Sequence, residues 1–214
     1  MVGSSVADEF KLLRSCLETI PDPRHARGKV HPLVGIVGLI VLGLMAGARS
    51  LSDISRFGVI HPEILPLLGL RRSPSTSTLS RLLRLVPVEA VRRALFDFTS
   101  KLVRLRDQAE AVETAAADGK TLGGVWEDGK QLHIVHLFAQ ECALALDQIA
   151  VEEVSAEPDA VRAWIERLAG RFPGFKVLTG DALLAQRDLC QAIVENQRDY
   201  LFRLKKTSTG SMPT

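Results

Sequence analysis

Val112-Glu113-Thr114-Ala115-Ala116-Ala117-Asp118-Gly119-Lys120-Thr121 is a short, mostly apolar run that closes on one carboxylate and passes at once into a glycine turn. A run of that length and bounding reads as a strand in a sheet covered on both faces. An acid at its end is costly to bury unless something cationic meets it. The pattern returns in Phe175-Lys176-Val177-Leu178-Thr179-Gly180-Asp181-Ala182. Two strands that end in aspartates bring two hard oxygen ligands to one edge of a sheet, the donor set that Mg²⁺ favours.

Around these two stretches the pattern is that of a mixed sheet. Residues 132–139 and 143–151 read as strands joined to the first by short turns, an antiparallel meander. Pro158 opens a helix with Val161, Ile165 and Leu168 inward and Trp164 beside them, and Gly170 ends it. Residues 183–195 form another helix, and 200–204 a fifth strand. The order is β-β-β-α-β-α-β, a sheet with helices packed on it.

Upstream the period is helical. Phe10, Leu12, Leu13, Leu17 and Ile20 mark a first helix that Pro21-Asp22-Pro23 stops. Arg24-His25-Ala26-Arg27-Gly28-Lys29-Val30-His31-Pro32 follows, a basic loop suited either to phosphate oxygens or simply to solvent. Pro32 to Ala48 carries no charge and reads as a buried core helix rather than a membrane span, its glycines suiting close packing. Ser50 or Ser52 caps a short helix to about Val59. Arg71-Arg72-Ser73-Pro74-Ser75-Thr76-Ser77-Thr78 then feeds an amphipathic helix, with Leu79, Leu82, Leu83 and Val86 on one face and Ser80, Arg81 and Arg84 outside it. A hydroxyl-rich turn opening such a helix is similar to the start of a recognition helix, or to an ordinary capped surface helix. Residues 87–106 form a last helix, with Val88, Val91, Leu95, Phe98 and Leu102 inside.

Charge divides at the same place. Residues 1–110 hold 16 Lys and Arg against 10 Asp and Glu, a balance of +6; residues 111–214 hold 11 against 15, a balance of −4. A basic half beside an acidic half fits a polyanion-binding part and a cation-holding part. The expected domains are 1–108, all-helical, and 109–214. Cys16, Cys142 and Cys190 are too scattered for a disulfide framework or a zinc knuckle. The N-terminus lacks the basic flank and apolar core of a signal peptide. A cytoplasmic protein with no membrane association is expected. His133 and His136, three apart on a strand, point to opposite faces and make a poor joint metal site. Asp147 and Glu152-Glu153 read as solvated turn and strand-end charges. Lys120 suits a phosphate contact, neutralisation of Asp118, or plain surface exposure.

Several short motifs stand in a particular order: Ile20-Pro21-Asp22-Pro23-Arg24, Gly47-Ala48-Arg49-Ser50, Pro74-Ser75-x-Ser77-Thr78, Asp118-Gly119-Lys120-Thr121-Leu122, Asp181-Ala182-Leu183 with Gln186, and Asp199-Tyr200-Leu201 with Leu204-Lys205. Together they resemble the DDE-type insertion-sequence transposases, in the branch related to the H-repeat-associated proteins. The resemblance implies an α+β protein: a helical N-terminal DNA-contacting domain, then a ribonuclease-H-like mixed β-sheet domain with packed helices. It implies DNA cleavage and joining with Mg²⁺ or Mn²⁺, two ions in the intact family site. Asp118 and Asp181 match the first two metal-binding, catalytic acids.

The expected nucleic-acid contacts are Arg24, Arg27, Lys29, Arg71, Arg72, Ser77, Arg81, Arg84, Lys120 and Lys205. The implied partners are double-stranded DNA (insertion-sequence ends and target), a second copy of the chain or a full-length transposase, and the implied place is the nucleoid. The family's third acid, a glutamate on a helix well after the fifth strand, has no counterpart here, because no glutamate follows Glu195. The expectation is a C-terminally truncated enzyme of little or no activity, or else a non-catalytic DNA-binding regulator that inhibits the full-length enzyme. Other departures agree: Gly123-Gly124 stands where the family has an arginine, Val154-Ser155-Ala156-Glu157 where it has Lys-Ser/Thr-Asn-Glu, Leu184 in place of a histidine, and Lys206-Thr207-Ser208 in place of Gly-Asn-Gln.

Overall fold

The computed structural model describes residues 6–25, 29–106, 112–127 and 130–204. The chain forms two compact units, Met1–Leu102 and Val103–Thr214. It is a mixed α+β protein.

The first unit is built of helices: α1 (Val6–Leu17), α2 (Leu33–Met45), α3 (Leu51–Ile60), α4 (Thr76–Leu83) and α5 (Val88–Leu105), the last running on into the second unit. The apolar segment is α2, and Ile36 and Leu39 are fully buried in the core with Leu17, Ile54, Leu79 and Leu82. Each such side chain removed from water contributes about 1.5–3 kcal/mol. A glycine at 35 lets α2 approach closely, since a Cβ there would stand 2.4 Å from the Leu68 carbonyl oxygen. Among the described residues no helix is long and apolar enough to cross a membrane.

Local chemistry sets the helix starts. Ser50 Oγ accepts from the Asp53 N–H at 3.1 Å and donates to Asp53 Oδ2 at 2.8 Å, which closes the first turn of α3 reciprocally. Ser75 Oγ accepts from the Thr78 N–H at 3.3 Å and starts α4. Two inward assignments fail. Leu83 and Val88 are exposed, at 46% and 79%. Leu83 is the last residue of α4 and Val88 the first of α5, so Leu83 has no turn of its helix after it and Val88 none before it. Leu102 is buried on α5 as expected, and Ala94 and Phe96 bury there as well.

The second unit follows the order read from the sequence: β1 (Thr114–Glu127), β2 (Lys130–Ala139), β3 (Leu144–Val151), α6 (Glu157–Arg171), β4 (Val177–Gly180), α7 (Arg187–Glu195) and β5 (Asp199–Phe202). The strands form one sheet in the order β3-β2-β1-β4-β5. β1 runs antiparallel to β2 and parallel to β4, and β4 runs parallel to β5. One face carries the core: Ala115, Ala117, His133, Val135, Leu137, Ala139 and Leu178 alternate inward on β1, β2 and β4. The buried side of α6 supplies Val161, Trp164, Ile165 and Leu168.

Three expectations about this sheet are corrected. Asp118 does not end β1: the strand continues through Gly119 to Glu127, so the glycine is an in-strand residue and not a turn. Nor is the strand covered on both faces, because Asp118 and Lys120 are exposed and Ala116 only half-buried. Asp147 is buried, its side chain 1% exposed. A bulge between the pairs Leu137–Asp147 and Phe138–Ala145 leaves Leu146 as the extra residue, so Leu146 and Asp147 both bury.

Candidate functional site

β1 and β4 are joined in parallel register, Thr114 with Val177, Ala115 with Leu178 and Ala116 with Thr179. Continued by two residues, that register sets Asp118 level with Asp181. Gly180 fits the continuation, for a Cβ on it would lie 3.3 Å from the Ala117 carbonyl oxygen. Both aspartates are exposed. The register, so continued, directs the two acids that the sequence singled out to the same, more open face of the sheet. Asp181 Oδ1 accepts from the Leu183 N–H at 2.8 Å, which turns the chain after β4 and fixes the carboxylate. Lys120 stands two residues after Asp118 on the same face, and His136 is the cross-strand partner of Asp118.

Among the described residues neither aspartate has an ion-pair partner. Two level carboxylates without a cation between them repel, and a divalent ion relieves that repulsion. Two hard oxygen donors on an open face fit Mg²⁺ or Mn²⁺, which keep several waters and need few protein ligands. The described residues hold no cluster of three or more His, Cys, Asp or Glu side chains able to close a metal cage.

The opposite face of β1 is arranged differently. Thr121 Oγ1 lies 2.8 Å from His133 Nδ1, directly across the β1–β2 ladder. His133 Nε2 hydrogen-bonds the Glu157 carboxylate. His133 and Glu157 are 4% and 5% exposed. Glu157 stands at the start of α6 and its carboxylate rests on Gly119: a Cβ at 119 would meet Oε1 at 2.0 Å. Sequence reading took Glu157 only as the end of a departing motif. The available signals were the inward parity of Thr121 and His133, and a glycine inside a strand with no turn to serve.

Asp147 is bound as fully. Its Oδ2 accepts from Trp164 Nε1 at 2.9 Å and from Arg167 Nη2 at 3.1 Å, which pins α6 to β3.

In the helical unit, Pro23, Arg24, His25, Val30, Thr78, Arg81, Leu82 and Leu85 line a groove of about 490 Å³. It joins the basic loop to α4, so Arg24 and Arg81, two of the expected contacts, share one concavity. Arg24 is not idle there. It grips Asp22 through Nε and Nη2, both at 2.9 Å, and donates to the His31 carbonyl oxygen at 2.8 Å. That guanidinium, with Lys29 at 3.5 Å, lowers the Asp22 pKa to about 2. Burial, then Arg72 and Arg24, push His31 below its ordinary value. Arg71, Arg72, Ser77, Arg81 and Arg84 are exposed along the approach to α4 and on it. Ser77 Oγ sits 3.0 Å from the capping Ser75 Oγ. Arg27 and Lys205 lie outside the described residues.

Comparison with known proteins finds similarity along most of the chain. Residues 14–99 match the DDE_Tnp_1-associated family. Over 202 residues the chain is 27% identical to "Putative protein YbfL" of Escherichia coli K12, covering 92% of this chain and 52% of that one. It is 26% identical to "H repeat-associated putative transposase YhhI" of the same strain, covering 93% and 52%. With "H repeat-associated putative transposase YbfD" the identity is 25%, covering 92% and 77%. A cryo-EM structure of the piggyBac transposase synaptic complex with hairpin DNA aligns at a TM-score of 0.46 and 11% identity, over 96% of this chain and 52% of that one.

The chain is thus a relative of the transposases. Among them it is similar to the DDE-type insertion-sequence branch of the H-repeat-associated proteins. It spans about half the length of YbfL and YhhI.

Proposed function

We propose that the chain is a DNA-acting protein of the transposase family. In this reading Asp118 and Asp181 are the metal-binding acids of a ribonuclease-H-like unit over residues 109–214, and residues 1–108 are the DNA-contacting unit. The observation that carries it is the parallel β1–β4 register, which levels two exposed carboxylates with no cation between them among the described residues.

A divalent ion held by Asp118 and Asp181 would supply charge neutralisation and activation of a water or a DNA 3′-hydroxyl for in-line phosphoryl transfer. The chain's own residues do the rest. Asp118 and Asp181 hold the ion at the sheet face, Asp181 with its orientation set by the Leu183 N–H. Lys120, two residues from Asp118, meets a phosphate oxygen on the same face. In the helical unit Arg71, Arg72, Arg81 and Arg84 neutralise backbone phosphates, while Arg24 shapes the groove and keeps outward only the donors held neither by Asp22 nor by the His31 carbonyl.

The test pairs two assays on the full chain. Binding to double-stranded DNA is expected to weaken steeply with salt, and Arg81→Ala to reduce the slope of log K against log salt by about one phosphate contact. Nicking of supercoiled DNA with Mn²⁺ is expected to be slow, since two carboxylates hold the ion less firmly than three, and to vanish in Asp118→Ala. DNA binding with no nicking supports the regulatory reading. Absence of DNA binding at low salt overturns both.

A further inference from the structure

The chemistry of β1 has a second half behind it. We propose that Glu157 is a positioning residue for Asp118, acting through Gly119 and the His133–Thr121 bridge. The proposal rests on Asp118 and Asp181 forming a divalent-cation site.

The geometry is a brace across the sheet. Asp118 and Gly119 are consecutive and face opposite sides of β1. On the far side the Glu157 carboxylate occupies the place where a side chain at 119 would stand, with Oε1, Cδ and Oε2 all within 2.5 Å of that Cβ position. Glu157 is held there by His133, and His133 is tied by its other ring nitrogen to Thr121, two residues further along β1. The strand is thus pressed by α6 at residue 119 and anchored to β2 at residue 121. Its register against β2 is unbroken from Ala115 to Thr121 and shifts only between Thr121 and Trp126.

A strand can carry a glycine beside its functional acid only at a cost in rigidity, because glycine has the widest backbone freedom. Glu157 offsets that cost by filling the space and ordering the backbone. The choice of glycine then follows from the need to admit a carboxylate against the strand, not from a turn. Glu157 does not touch the metal side, so its effect on the ion is through the orientation of Asp118. Partners that orient a metal ligand typically change metal affinity 10–100-fold when removed.

The experiment is a Mn²⁺ titration of the full-length chain by electron paramagnetic resonance, with thermal melts of every variant. The comparison of wild type with Asp118→Asn first establishes whether the ion sits at the aspartates. Glu157→Ala is expected to weaken Mn²⁺ binding about tenfold or more. Glu157→Gln keeps the volume and an acceptor for His133, and is expected to restore affinity to within about threefold of wild type. Thr121→Val cuts the bridge at an exposed position and is expected to weaken binding by a smaller factor, which keeps the test open if Glu157→Ala does not fold.

A folded Glu157→Ala or Thr121→Val with wild-type affinity overturns the positioning role. Equal weakening by Glu157→Ala and Glu157→Gln also overturns it, since the role assigned is held by shape and hydrogen bonding. Equal binding by wild type and Asp118→Asn overturns the metal reading beneath it and the positioning role with it, by a comparison that involves no change at Glu157.

Discussion

The two faces of β1 treat charge in opposite ways. On one face Asp118 and Lys120 stand exposed, and Asp118 lies level with Asp181 without an ion-pair partner among the described residues. On the other, the exposed Thr121 is bridged through the buried His133 to the buried Glu157, with Gly119 making the room. Residues that alternate along a strand alternate in task. The covered face is where carboxylates serve the fold, as Asp147 also does with Trp164 and Arg167. On the open face the exposed carboxylates have no ion-pair partner among the described residues.

The difference sets a ranking of effects on stability. Asp147→Ala strands the buried Trp164 indole N–H and releases Arg167, and is expected to cost about 3 kcal/mol in a thermal or urea melt. Gly119→Ala drives the Glu157 carboxylate from His133 and is expected to cost about 2 kcal/mol, where an exposed strand glycine would gain from the same change. In the helical unit, Asp22 titrates at about 2 against an ordinary 3.8. Its carboxylate therefore contributes stability above about pH 4 that is lost as pH falls toward 2. Discounted for solvent at its Lys29 partner, this is about 1–2 kcal/mol, absent in Asp22→Asn, and read from melts at pH 5 and pH 2.5. Ser75→Ala removes the α4 cap and is expected to cost about 1 kcal/mol. Asp118→Asn stands last: with no ion-pair partner among the described residues to lose and some repulsion relieved, its melt without metal is expected within about 0.5 kcal/mol of wild type. A large loss there would erase the contrast between the faces.

Much of this was legible in the residues. Period and turn chemistry gave the helical first unit, the order of strands and helices in the second, and the serine caps. The two aspartates announced themselves because an apolar run that ends in an acid is unusual. What escaped depends on register and on chain neighbours far away in sequence. No local pattern says that a bulge at Leu146 turns Asp147 inward. Gly119 resembles a turn until Glu157, 38 positions later, is seen against it. Arg24 reads as a free cation in a basic loop, yet Asp22 holds it by two hydrogen bonds of 2.9 Å. Leu83 and Val88 fit the helical period, but they sit at helix ends where the period no longer meets the core.

The central claim is that Asp118 and Asp181 form a divalent-cation site on the open face of the sheet. Mn²⁺ binding to the wild-type chain, to Asp118→Asn and to Asp181→Asn tests it most directly. The account predicts one class of bound Mn²⁺ in the wild type that either substitution weakens at least tenfold, with folding unchanged. Mn²⁺ bound equally by all three proteins, or by none, contradicts it.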